Sequence, residues 1–110
     1  MSCLMIVQAR ITQPEKFRAY TAVVPALVAQ HGGRYLVLGG ASRVLEGHWP
    51  EVKTVVSEWP SRAAAMAFWD SDAYRAAAVL REGAGEFTIV LVDGIGEAPG
   101  PAALPSESAR

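Results

Sequence analysis

Glu58 is the residue whose type and position best fit acid–base chemistry. It stands in the strand-like segment KTVVSEW, residues 53–59, on the same face as Val56, so the pattern predicts a carboxylate directed toward a mostly apolar layer. Such a carboxylate serves either as a general base or ligand anchor, or in a structural role, paired with Arg34 or Arg10 or placed at the solvent-exposed end of the sheet. The sequence leaves both interpretations open.

His31 is the second candidate for proton transfer. It ends a long helical pattern, where a histidine can bond the last helical carbonyls and where the helix dipole favours its charge. The alternatives are a proton shuttle or a haem ligand, although no second histidine or carboxylate stands at ligand spacing to it. The other histidine, His48, lies in a polar turn. Because the two histidines are isolated from each other, the sequence gives no indication of a metal site.

Aromatic side chains from separate segments are candidates for the walls of one cleft around Glu58. An apolar cleft with few polar groups is typical of small-molecule sites, whereas an ordinary aromatic core needs no ligand. Both interpretations stay open. The candidate ligand-binding residues are Tyr20, Arg34, Trp49, Trp69 and Tyr74.

Length and composition limit the class of protein. A chain of 110 residues is one domain, and its net charge of −1 gives no basic face for nucleic acid. No apolar run approaches the roughly 18 residues of a membrane helix. Cys3 is the only cysteine, so no intrachain disulfide is possible and a reducing, cytoplasmic location is expected. Without a phosphate-binding glycine loop or a thiolate cluster, we expect no bound cofactor or metal.

Apolar periodicity predicts the element order β, α, β, β, α, β. Strands are expected at residues 4–11, 34–38, 53–59 and 86–92, with the second strand resuming at 44–46. The first helix is expected to begin at a capping box of Thr12 and Glu15, and Ser61 and Ser71 are expected to cap helical segments at 62–69 and 71–82. Three prolines after Gly94 predict a tail at 95–110, beyond a single domain at 1–94.

This order is typical of an α+β, ferredoxin-like antiparallel sheet with its helices on one face. In the last strand Phe87, Ile89 and Leu91 point one way, and Val90 and Val92 point the other, so both faces of the sheet are expected to be apolar. Helices on one face leave the other uncovered. The sequence therefore predicts a homodimer in which the uncovered faces of two copies meet.

Four ordered segments, HGGRYLVLGG, VLEGHW, VVSEWPS and FWDSDAYR, resemble the signature of the domain of unknown function 1330 family, a branch of the dimeric α/β barrel superfamily. The likeness runs from about Met5 to Gly94. It implies the same fold and dimer, but no agreed activity. The superfamily includes cofactor-free monooxygenases, lactone isomerases, haem-dependent enzymes and non-catalytic binders, so the fold does not choose among them.

Two classes of function follow for a cytoplasmic homodimer with an unknown small-molecule partner. In the first, a cofactor-independent oxygenase- or isomerase-like enzyme, Glu58 acts as base or anchor in a pocket between sheet and helices. In the second, a non-catalytic binding or structural dimer, Glu58 and His31 are structural. An open cavity beside Glu58 would favour the first class, and a cleft filled by aromatic rings would favour the second.

Overall fold

The structure, a computed structural model, describes residues 2–95 as a four-stranded antiparallel sheet with three helices packed on one face. The elements are β1 (Cys3–Ile11), α1 (Pro14–Gln30), β2 (Arg34–Leu38), β3 (Lys53–Trp59), α2 (Arg62–Asp70), α3 (Asp72–Val79) and β4 (Gly85–Asp93). The strand order is β2-β3-β1-β4, so β3 and β1 are central. The predicted α+β fold is confirmed. The predicted tail at 95–110 lies outside the described residues from residue 96 onward.

Strand register assigns each side chain to one of two faces. Ile6 of β1 lies opposite Val56 on one side and Val90 on the other, whereas Met5 lies opposite Ser57 and Leu91. The Met5 set packs under the helices, and the Ile6 set lies on the uncovered side, here called the open face. The apolar half of the open face consists of Leu4, Ile6, Val37, Val56, Val90 and Val92.

The other half of the open face is polar. Gln8 lies opposite Thr54 and Thr88, and Arg10 lies opposite Glu86. The expectation of an apolar uncovered face therefore holds for one half only. These polar side chains lie toward the end of the sheet where β1 leads into α1, and the charged pair of Glu58 and Arg34 lies on the open face at the opposite end.

Aromatic rings fill the core between the sheet and helices α2 and α3. The ring centroids of Trp59 and Phe68 lie 4.9 Å apart, and those of Phe68 and Tyr74 lie 4.7 Å apart. Gly33 lies flat against the Trp59 indole, because a Cβ at this position would approach it to 2.8 Å. Only a residue without a side chain fits there.

Two of the three predicted helix caps are confirmed. The Ser61 hydroxyl accepts from the Ala64 amide at 3.0 Å, and the Ser71 hydroxyl accepts from the Tyr74 amide at 3.1 Å. The capping box at Thr12 is wrong. Because α1 begins at Pro14 with Gln13 at the cap, the Thr12 hydroxyl is outside capping position and donates to the Ala84 carbonyl at 3.2 Å.

Two predicted element boundaries also differ from the structure. Residues 44–46 form no strand, because the chain turns away from the sheet edge at Gly39, where φ is +71°. Helix α3 ends at Val79 rather than at 82, and a turn containing Gly83 at φ +78° leads into β4. Within residues 2–95, no helix has the length and apolar character that crossing a membrane requires.

Candidate functional site

A cavity of about 630 Å³ lies between α1 and the helix-covered face of the sheet. Val7, Ala9 and Val55 line it from the strands, and Phe17 and Val24 line it from the helix. Helix α1 packs chiefly against α3 rather than against the strands, and the side chains of Val7, Ala9 and Val55 below it are short. Aromatic rings, among them Phe17 and Phe87, line the space between helix and sheet without filling it.

Tyr20 connects this cavity to the core. Its ring lines the cavity, and its hydroxyl oxygen lies 3.0 Å from that of the buried Tyr74. Burial, followed by the hydrogen bond with Tyr74, raises the pKa of Tyr20 well above the usual range. Tyr20 is therefore a weaker acid than a free phenol and supplies no phenolate base near neutral pH, and its hydroxyl is already engaged with that of Tyr74.

Arg81 completes this group of side chains. Its Nη2 donates to the Tyr74 hydroxyl at 3.4 Å, and its guanidinium carbon lies 4.7 Å from the ring centroid of Phe87 and 5.5 Å from that of Tyr20. Its buried Nε has no hydrogen-bond partner among the described residues. We call Tyr20, Tyr74, Arg81 and Phe87 the phenol–arginine cluster. The sequence interpretation missed Arg81, although the helix expected at 71–82 would have placed it two turns from Tyr74 on one face; in the structure Arg81 lies in the turn after α3.

Glu58 lies on the open face and not in the cavity. The β1–β3 register places it opposite Leu4, while the neighbouring Ser57 and Trp59 are buried under the helices. The predicted position of Glu58 in the pocket between sheet and helices is therefore wrong, because alternation along β3 directs the other set of side chains to that side. A catalytic role for its carboxylate stays a prediction.

An ion pair joins Glu58 to Arg34, which was the alternative interpretation of this carboxylate. The Glu58 Oε1 atom accepts from Arg34 Nη2 at 2.7 Å and from Arg34 Nε at 3.0 Å. The exposed fractions of the two side chains are 72% for Arg34 and 32% for Glu58. Solvent screens a pair this exposed, and its contribution to stability is at most about 1 kcal/mol. Arg34 thus contacts Glu58 rather than the cavity.

His31 lies at the far end of α1 from Tyr20, about 16 Å along the helix axis for eleven residues. Its Nδ1 lies 2.9 Å from the Leu27 carbonyl, and its ring packs edge-on against Phe68. Because a carbonyl only accepts, Nδ1 carries the proton. Within residues 2–95, no three His, Cys, Asp or Glu side chains are grouped closely enough to hold a metal ion. The geometry matches the capping interpretation of His31, and its catalytic role stays a prediction.

The two candidate tryptophans lie apart from the cavity. Trp49 lies in the connection between β2 and β3 and is 47% exposed. Trp69 packs against Tyr74, with ring centroids 5.0 Å apart, and contributes to the core beside α2. Of the candidate ligand-binding residues, the structure therefore brings together only Tyr20, Tyr74 and, behind them, Trp69.

Comparison with known proteins agrees with this fold. The family model described as Domain of unknown function (DUF1330) matches residues 2–95. The chain belongs to this family. The match spans the complete sheet and all three helices of the DUF1330 fold described above, including the residues that line the cavity. No curated protein matches the chain.

Solved structures share the DUF1330 fold at low sequence identity. A protein of unknown function from Rhodopseudomonas palustris is 20% identical, with 84% of this chain and 82% of that chain covered and a TM-score of 0.69. A dimeric ferredoxin-like protein of unknown function from Jannaschia sp. CCS1 is 11% identical, with 86% and 100% covered and a TM-score of 0.65. SnoaB, a cofactor-independent oxygenase from Streptomyces nogalater, is 12% identical, with 89% and 97% covered and a TM-score of 0.62. At these identities the likeness shows the fold alone.

Proposed function

We propose that this DUF1330 protein is a homodimer that binds a small, mostly apolar molecule in the cavity between α1 and the sheet. The observation that carries the proposal is the cavity itself. Its volume of about 630 Å³ lies within the range of roughly 300–1,000 Å³ that is usual for ligand pockets. An apolar lining with a few polar groups, such as the Tyr20 phenol, is the composition that such pockets share.

The apolar half of the open face supports the homodimer. Ile6 lies at its centre, between Val56 and Val90 on the neighbouring strands. A second copy would remove these side chains from water by packing its own sheet about 10 Å away, and each buried Å² of apolar surface contributes about 25 cal/mol. The dimeric ferredoxin-like protein from Jannaschia has the same fold. We also propose a cytoplasmic location, because the free, buried thiol of Cys3 is compatible with a reducing compartment.

Catalysis without a bound cofactor is the second candidate function. The observation that favours it is the Tyr20 hydroxyl at the cavity. In the arrangement in which Tyr74 accepts from Arg81 and donates to Tyr20, the Tyr20 proton can stabilise a developing enolate or phenolate. SnoaB, which has the same fold, is a cofactor-independent oxygenase. Among the described residues that line the cavity, however, there is no histidine, aspartate or glutamate to abstract a proton. Binding is therefore the primary proposal.

Titration with the neutral fluorescent dye N-phenyl-1-naphthylamine tests cavity binding. Ala9→Phe fills the cavity from the sheet and Thr21→Trp blocks it from α1, so each variant is expected to lower dye affinity by tenfold or more. Ala73→Phe, on an exposed position of α3, is the control for added aromatic surface. Circular dichroism verifies that each variant folds. Unchanged affinity in a folded Ala9→Phe or Thr21→Trp variant would contradict the proposal.

A further inference from the structure

The charged side chains that line the cavity have one sign. Arg18 on α1 and Lys53 at the start of β3 contribute to the lining, and no aspartate or glutamate does so among the described residues. One cation comes from the helix wall and the other from the sheet wall. Both residues are exposed, so they flank the opening of the cavity to solvent.

These two cations also have no carboxylate partner within residues 2–95. Four other arginines in that range are each paired with a carboxylate, in Arg10–Glu86, Arg34–Glu58, Arg62–Asp93 and Arg75–Asp70. The whole chain has a net charge of −1, so the positive character of the cavity is local. Unpaired cations beside an apolar surface attract anions more strongly than cations in bulk water do.

Arg81 adds a third positive charge behind the cavity wall. Its guanidinium carbon lies 4.7 Å from the ring centroid of Phe87, which lines the cavity and stacks on Phe17 at 5.6 Å. Arg81 also has no carboxylate within ion-pair distance in the described part of the chain. Three cations from three different parts of the chain thus surround one apolar space.

We propose that this cavity selects apolar acids, molecules whose apolar body packs against Phe17 and Phe87 and whose anionic group lies between Arg18 and Lys53. This inference rests on the proposed function, namely that the cavity binds a small molecule. The apolar lining supplies affinity for any compound of suitable size. The two cations supply the preference for a carboxylate, phenolate or sulfonate, and they orient the bound molecule with its charge toward solvent.

Two dyes with the same ring system test the preference for an acid. 1-Anilinonaphthalene-8-sulfonate is anionic, and N-phenyl-1-naphthylamine is its counterpart without the sulfonate. The full-length protein is expected to bind the anionic dye more tightly. Arg18→Gln and Lys53→Gln are each expected to weaken the anionic dye about two- to fivefold and to leave the neutral dye unchanged. Lys16→Gln removes the same charge from an α1 residue outside the lining and is the control.

The outcomes separate this inference from the proposed function. Equal affinity for the two dyes overturns the preference for acids, and so does a loss of anionic-dye affinity in the Lys16→Gln control equal to that in Arg18→Gln and Lys53→Gln. In either case, binding of the neutral dye still supports the proposed function. Loss of anionic-dye binding in the charge-preserving Lys53→Arg variant would show that packing rather than charge is responsible, and would also overturn it. Failure of both dyes to bind would overturn the proposed function and this inference together.

Discussion

The hydroxyl oxygens of Tyr20 and Tyr74 lie 3.0 Å apart, although 54 positions separate the two residues in the chain. Tyr20 comes from α1 and Tyr74 from α3, so this hydrogen bond joins the two helices at the edge of the cavity. Arg81 donates to the same Tyr74 oxygen. The bond therefore couples the helix that covers the cavity to the buried core of the protein.

Removing either phenol oxygen should destabilise the fold, and removing that of Tyr74 should cost more, because this oxygen also accepts from Arg81. Tyr20→Phe is expected to lower the free energy of unfolding by about 1 kcal/mol and Tyr74→Phe by more. The double variant should lose less than the sum, because the two hydroxyls share one hydrogen bond. Urea unfolding measures all three values. Tyr35→Phe is the matched control, since the Tyr35 hydroxyl makes no side-chain hydrogen bond within residues 2–95. Strict additivity would contradict the coupling.

Alkaline pH should destabilise the protein through its tyrosines. Burial raises the pKa of Tyr20 and that of Tyr35 above the usual value of a phenol. The unfolded chain releases these protons near pH 10, while the folded chain retains them, so the free energy of unfolding falls as the pH rises above about 10. Denaturant unfolding between about pH 9 and pH 11 should show this fall, and Tyr20→Phe should make it shallower. Phenolate absorbance provides a direct check. If all tyrosines of the folded protein titrate at the usual value, this explanation fails.

Gly33 should tolerate no side chain. The Cβ of Gly33→Ala would lie 2.8 Å from the Trp59 ring, so the variant is expected to lose about 1–3 kcal/mol of stability through overpacking. Gly40→Ala is the control, because nothing lies within 4 Å of a Cβ at that position. Thermal unfolding compares the two variants. Equal melting temperatures would show that Trp59 moves aside at little cost.

A charge in the apolar half of the open face should dissociate the proposed dimer. Val90→Lys places an ammonium group within the apolar half, whose burial between two sheets is strongly unfavourable. Val79→Lys is the control, since Val79 on α3 is 57% exposed and Val90 is similarly exposed at 46%. Analytical ultracentrifugation is expected to give a dimer for the wild type and the control, and a monomer for Val90→Lys. A monomeric wild type would contradict the dimer.

The sequence predicted the fold well because period-two alternation and helix caps are local signals. It did not predict which face of β3 the helices cover, because both faces of this strand carry apolar side chains, Val56 on one and Trp59 on the other. Glu58 was assigned to the wrong side for this reason. The buried Trp59, too large to remain exposed, is the signal that favours the observed choice.

The cavity itself could not be predicted from periodicity. It exists because α1 packs against α3 and stands away from Val7, Ala9 and Val55, and that displacement is a tertiary property without a local sequence signal. The pairing of Tyr20 with Tyr74 has the same origin. Positions on helical faces indicated that both rings point toward the sheet, but not that their hydroxyls meet.

Valine methyl resonances provide the most direct test of the central claim that the two sides of the sheet serve different partners. Val7, Val24 and Val55 line the cavity, whereas Val90 and Val92 lie on the open face. Addition of N-phenyl-1-naphthylamine is predicted to shift the methyl signals of the first set and to leave the second unchanged. Dilution of the protein through the monomer–dimer transition should shift the methyl signals of Val90 and Val92 and leave those of the cavity valines unchanged. Dye-induced shifts confined to Val90 and Val92 would contradict the account, because the dye would then occupy the open face instead of the cavity.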